Sequence, residues 1–159
     1  MENVEIERKF LVEAEGWRDG VRVSRRLVQG YLSVRPEATV RVRIRGEQEA
    51  VLTIKGEPEE LVRPEFEYSV PVSDARQMLD GMCVGEPVQK VRHEVMVGDH
   101  LWVVDEFEGA NEGLVVAEVE LQRADETFEM PQWAGEEVTG CVRYYNARLA
   151  ETPYRQWEK

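Results

Sequence analysis

The chain has 159 residues, with 20 basic and 32 acidic side chains and a net charge of −12. That length suffices for a single domain, 1–159, able to bury a core without disulfide or metal staples, and the acidic balance argues against general nucleic-acid binding and docking on anionic membranes, both of which need basic surface. No apolar run reaches membrane-spanning length, the N-terminus lacks signal-peptide character, and Cys83 and Cys141 form neither a disulfide framework nor a metal-binding spacing, so a soluble cytoplasmic protein is expected.

Most of the sequence alternates with period two, which predicts strands over 4–12, 22–34, 39–46, 49–55, 62–72, 87–97, 100–107 and 114–122. Successive strand side chains point to opposite faces, so parity assigns the face. In the first segment Glu5, Glu7 and Lys9 oppose Ile6, Phe10 and Val12. In the third, Arg41, Arg43 and Arg45 oppose Val40, Val42 and Ile44; in the fourth, Thr53 and Lys55 oppose Leu52 and Ile54. The fifth sets Arg63, Glu65 and Glu67 against Phe66, Tyr68 and Val70. A helix is expected from Ser73, whose hydroxyl can cap the backbone donors that follow. The sixth strand carries Lys90, Arg92 and Glu94 on one face, and the eighth sets Glu118 and Glu120 against Ala117, Val119 and Leu121. Gly46, Gly56-Glu57-Pro58 and Gly98-Asp99 punctuate the strands. Between 123 and 138, Phe128, Pro131 and Trp133 mark a packed loop or short helical piece, and a second helix is expected near 141–150. Many strands with short connections give an α+β, mainly β domain, and closing the sheet would remove its exposed edges.

A sandwich with one solvated face would account for any one of these strands. Taken together they strain that account, because like charges repeat along single strands, and such crowding costs stability unless a counter-ion or ligand relieves it. Of the 20 basic residues only Lys9, Lys55, Lys90 and Lys159 are lysines, and the first three fall inside predicted strands. Carboxylates collect hard cations such as Mg²⁺ or Mn²⁺ through oxygen, while Lys and Arg hold phosphate oxygens. The combination suits phosphoryl chemistry on an oligophosphate, where positioning and charge neutralisation dominate. No Walker-type loop, His-Glu-x-x-His or zinc signature competes. His93 and His100 are isolated, and Trp17, Trp102, Trp133 and Trp157 do not interleave with basic residues as single-strand binders require.

Glu5-Ile6-Glu7-Arg8-Lys9-Phe10-Leu11 resembles the N-terminal ExExK signature of the CYTH superfamily, the triphosphate tunnel metalloenzymes. The resemblance extends through Gln29-Gly30-Tyr31-Leu32, Arg41-Val42-Arg43, Thr53-Ile54-Lys55 and Arg63-Pro64-Glu65-Phe66-Glu67. It continues with Lys90-Val91-Arg92, Val104-Asp105-Glu106-Phe107-Glu108-Gly109, Ala117-Glu118-Val119-Glu120-Leu121, Glu137-Val138-Thr139 and Arg143-Tyr144-Tyr145-Asn146. It implies a closed eight-stranded antiparallel β-barrel, or tunnel, with a few external helices. It further implies that Glu5, Glu7, Glu118 and Glu120, with Asp105 added to the acidic set, hold one or two Mg²⁺ or Mn²⁺ ions, and that Lys9, Arg41, Arg43, Lys55, Lys90 and Arg92 clamp a triphosphate.

On that resemblance Lys90 assists the leaving phosphate and Glu120 joins it as a catalytic residue. Glu65 and Glu67 either orient the bases or form tunnel-wall ion pairs, and Arg45 and Glu94 read as strand ends in water. Val142 and Ala147 stand where some relatives carry polar or basic residues, so no helix-borne substrate contact is expected. The implied activity is metal-dependent triphosphate hydrolysis, with inorganic tripolyphosphate as first choice because the chain is compact. Thiamine triphosphate hydrolysis, adenylate cyclisation and a non-catalytic phosphate-binding barrel stand as alternatives. A small-molecule triphosphate is the expected partner, with neither nucleic acid nor membrane.

Overall fold

In the computed structural model, which describes residues 3–157, the eight alternating segments become antiparallel strands and a ninth strand joins them. These are β1 (Val4–Val12), β2 (Val21–Arg35), β3 (Ala38–Arg45), β4 (Glu49–Lys55), β5 (Val62–Val70), β6 (Val84–Val97), β7 (His100–Phe107), β8 (Val115–Glu120) and β9 (Ala134–Glu137). Lys159 and the other terminal residues of the expected 1–159 domain lie outside the described residues. The first eight strands are ordered β5-β4-β3-β2-β6-β7-β8-β1, and a β1–β5 pairing closes them into a barrel. Tight connections suit this meander: between β6 and β7, Gly98 takes φ +59°, which a residue without Cβ adopts at no steric cost.

Strand β1 forms the seam. One edge pairs with β8 from Glu7 to Leu11. Its other edge is divided, with Val4, Glu5 and Ile6 on β5 and Phe10 and Val12 on β9. The ninth strand, unexpected from the sequence, thus occupies the length of edge that β5 leaves unpaired. Residues 134–137 carry no alternation, so only this tertiary vacancy draws them into the sheet.

The hydrophobic core lies largely outside the barrel wall. Phe10, Val12, Trp17, Trp102, Val104 and Val119 pack in one cluster covered by Phe128 and Trp133. Val42, Ile44 and Ala50 form a second beneath α1 (Val72–Gly81), whose Ala75 is fully buried. The third fills part of the barrel interior: Tyr31, Val88, Phe107 and Val116 share their strands' inward parity with the charged residues and pack on Leu149 and Ala150 of α2 (Asn146–Glu151). Each fully buried large apolar side chain contributes roughly 1.5–3 kcal/mol. Burial on this scale offsets the cost of the charges that the same strands turn inward.

Two helix expectations are corrected. Helix α1 begins a residue early, with Pro71 in the capping position and no side-chain cap. Pro71 already has extended geometry, and its carbonyl accepts from the Ala75 N–H at 3.1 Å, so Ser73 falls inside the first turn. The helix expected over 141–150 divides into a 3₁₀ turn, Val142–Tyr144, and α2, because Tyr145 between them is extended at φ −65°, ψ 135°. Among the described residues no helix is long and apolar enough to cross a membrane.

Candidate active site

The inward faces enclose a cavity of about 1200 Å³, above the roughly 300–1000 Å³ usual for small-molecule sites. Glu5, Glu7, Lys9, Arg41, Arg43, Lys55, Lys90, Arg92, Glu118 and Glu120 all line it, as do Glu65 and Glu67. Arg45 lines it too, bonded to Glu49 at 2.8 Å and 3.9 Å from Glu67, rather than ending its strand in water. Glu94 does not reach the cavity.

Asp105, expected among the metal carboxylates, faces inward from β7 opposite Arg92 but does not line the cavity. It is 1 % exposed and both oxygens are taken: Arg92 grips it through Nε and Nη2, each at 2.8 Å, and Lys90 Nζ sits 2.7 Å from Oδ2. Burial alone would raise its pKa, but the two cations outweigh burial and hold it down to about 2. Lys90 moves the other way. Burial, with Arg92 and Arg43 nearby, outweighs Asp105 and lowers the ammonium to about 7. Arg43 is lowered as well, by burial and then by Arg41 and Arg92. The clamp is therefore cationic enough to penalise itself, a condition that an anion would relieve. Arg41 gives the most direct sign of one. Its Nη2 donates to Thr53 Oγ1 at 3.1 Å, yet its buried Nε has no hydrogen-bond partner. An orphaned guanidinium donor in a cationic cavity is costly unless something accepts from it.

Nearer β1 and β5 the carboxylates pair among themselves. Glu7, buried and beside Glu118 and Glu5, is raised well above the carboxylate range and donates its proton to Glu118. Glu118 stays ionised well below that range because Lys9, that hydrogen bond and Arg92 outweigh burial. Glu5 and Glu65 repeat the arrangement around Lys55, whose Nζ is 2.8 Å from Glu5 and 3.5 Å from Glu65. Glu5 is held low by Lys55 against burial, and Glu65 is pushed up to about 7 by burial and by Glu5. Glu120 is raised by burial and by Glu5. Among the described residues no three His, Cys, Asp or Glu side chains converge closely enough to hold a metal ion. The donor chemistry still fits a hard cation: four mutually repelling carboxylates offer oxygen only, and their protons stand where a divalent charge would otherwise compensate them.

Three polar residues not assigned to the site from the sequence also join it. Gln29, wholly buried, accepts from Arg43 Nε at 2.7 Å and donates to Tyr31 Oη at 3.1 Å and Asn146 Oδ1 at 3.0 Å. Asn146 Oδ1 also accepts from Lys90 Nζ at 2.8 Å. Gln29 and Tyr31 were legible as inward residues of β2, on the parity of Leu27. Asn146 carried no periodic signal, because it belongs to a six-residue helix.

A family model for the CYTH domain matches residues 3–150. The chain is 38 % identical over 158 residues to a protein named inorganic triphosphatase from Acetivibrio thermocellus, covering 98 % of each. It is 37 % identical over 150 residues to an inorganic triphosphatase from Nitrosomonas europaea, covering 92 % of this chain and 96 % of that one. The crystal structure of the inorganic triphosphatase NE1496 matches with a TM-score of 0.66 at 35 % identity, over 92 % of this chain and 97 % of that one.

Proposed function

The chain belongs to the CYTH domain family, and on that footing we propose that it is a triphosphatase, hydrolysing a phosphoanhydride bond of inorganic tripolyphosphate inside its barrel with a divalent cation, Mg²⁺ or Mn²⁺. The observation that carries this reading is the placement of a self-repelling cationic clamp and a proton-sharing carboxylate set on one cavity wall. Two relatives at 37–38 % identity are named for that activity. An anion-binding barrel without chemistry would need the first set and not the second.

In this reading Lys9, Arg41, Arg43, Lys55 and Arg92 hold phosphate oxygens, and Arg41 Nε gains the acceptor it lacks. Glu5, Glu7, Glu118 and Glu120 would hold the cation, which on binding supplies charge neutralisation and a more acidic attacking water. Water attacks the terminal phosphorus, the bridging P–O bond breaks, and diphosphate leaves. Lys90, lowered to about 7, gives its proton to the departing oxygen near neutral pH. Glu120, raised by burial and Glu5, takes the proton from water. Asp105 keeps Lys90 and Arg92 in place. The free thiols Cys83 and Cys141 suit a reducing cytoplasm, and the acidic net charge suits a small-molecule partner over nucleic acid.

The test is phosphate release from tripolyphosphate, thiamine triphosphate, ATP and diphosphate, each with Mg²⁺, Mn²⁺ or excess chelator. Tripolyphosphate should turn over fastest, and only with a cation. Turnover indifferent to chelator removes the metal from the reading. Binding of tripolyphosphate with no turnover under any condition leaves a phosphate-binding barrel.

A further inference from the structure

We infer that Asn146 is a substrate-binding residue, donating through its side-chain amide to a phosphate oxygen beside Lys90. The inference rests on the triphosphatase reading and assigns to α2 a contact that its sequence did not suggest.

The orientation of the Asn146 amide is forced by its neighbours. Arg43 is donor-only, so the group it bonds on Gln29 is Oε1, at 2.7 Å. The other end of the Gln29 amide is then Nε2, which donates to Asn146 at 3.0 Å. Asn146 must meet it with oxygen. Lys90, also a donor, reaches the same oxygen at 2.8 Å and requires the same orientation independently. With Oδ1 turned inward twice over, Nδ2 is left outward. It has no partner among the described residues, it is not among the atoms sealed from solvent, and Asn146 lines the cavity.

Two free N–H donors thus stand beside the ammonium that already donates to Asp105 and Asn146. They are neutral, so they add hydrogen bonds to an anion without adding to the cationic repulsion that lowers Arg43 and Lys90. A further arginine or lysine at this position would worsen that repulsion. The position is held by the same face of α2, one turn further along, where Leu149 and Ala150 are buried.

Three proteins separate this role from simple support of Lys90: wild type, Asn146→Ala and Asn146→Asp, each titrated with tripolyphosphate in chelator, so that binding is read without turnover. Asn146→Asp keeps the oxygen that anchors Lys90 and Gln29 but replaces the outward donor with an anionic oxygen. A donor contact predicts affinity in the order wild type, Asn146→Ala, Asn146→Asp, with a loss of about tenfold or more at the first step and a larger one at the second. Asn146→Asp binding like wild type while Asn146→Ala is weakened would confine the residue to holding Lys90 and overturn the inference, as would three equal affinities. Unfolding midpoints within a few degrees of wild type keep the comparison between folded proteins; if Asn146→Ala fails that criterion, the wild-type to Asn146→Asp ratio decides alone. A wild type that neither binds nor hydrolyses tripolyphosphate removes the triphosphatase reading itself, and the inference with it. That result is separate from a binding wild type with indifferent variants, which overturns the inference only.

Discussion

Glu65 holds a proton that the unfolded chain would release at lower pH. Its pKa rises from 4.5 to about 7 on folding, through burial and the neighbouring Glu5. Between those values the folded protein binds more protons than the unfolded one, so stability falls as pH rises through this window. Glu65→Gln should flatten that fall and make the metal-free protein the more stable of the two at pH 8, as measured by denaturant unfolding in chelator at pH 5 and 8; a slope identical to wild type would mean the proton sits elsewhere. The same shared protons predict that Mg²⁺ or Mn²⁺ uptake at neutral pH releases protons, chiefly from Glu7. Calorimetry in buffers of different ionisation enthalpy reads this directly, and an observed heat independent of buffer would contradict it. On the basic wall, Arg41→Ala should cost about 1.5–3 kcal/mol of transition-state stabilisation in kcat/KM, while Arg76→Ala, exposed on α1, should cost nothing measurable. Parity alone sufficed to place Arg41 and Glu118 on one inward surface. It could not show which charge each would meet, and so Asp105, whose alternation matches a cavity residue, is instead consumed by Arg92 and Lys90.

At the scale of elements, the sequence was most readable where two faces contrast. β3 alternates arginine with Val42 and Ile44 and lies within one residue of its expected bounds, whereas β9 and α2 are set by vacancies on β1 and by a tertiary dock, neither of which leaves a local pattern. The cap of α1 misled for a different reason: a serine near a helix start reads as a cap until the preceding proline is weighed. Ser73→Ala should accordingly shift stability by no more than about 0.5 kcal/mol, below the ~1 kcal/mol of a working N-cap. Gly85 predicts the opposite. It has φ +70°, and a Cβ there would strike the Ala150 carbonyl of α2. Gly85→Ala should destabilise the protein by about 1–3 kcal/mol and also weaken tripolyphosphate binding, because α2 carries Asn146. Thermal unfolding and binding measured on the same variant check both; lost stability with full affinity would uncouple the dock from the site.

The whole molecule inverts a common plan, with apolar layers outside a closed wall and charge within it. Closure itself was expected from the number of strands and the cost of bare edges, but the seam that achieves it was not readable, since nothing local says that β1 divides one edge between two partners. That seam has a consequence in time. Glu7 pairs with Glu120 and Ile6 with Val62, so β1 has its partners far downstream, one near the middle of the sequence and one in its last third. Pairings this distant in sequence are slow to form, because loop-closure entropy is lost before any contact compensates it. The β2–β3 and β3–β4 hairpins can assemble as they emerge. β1 can meet β5 once that strand is made, but its other edge stays open until β8 follows, and the closed cavity comes into existence only at that step, so an N-terminally nicked or stalled chain holds most of the sheet and no enclosed site.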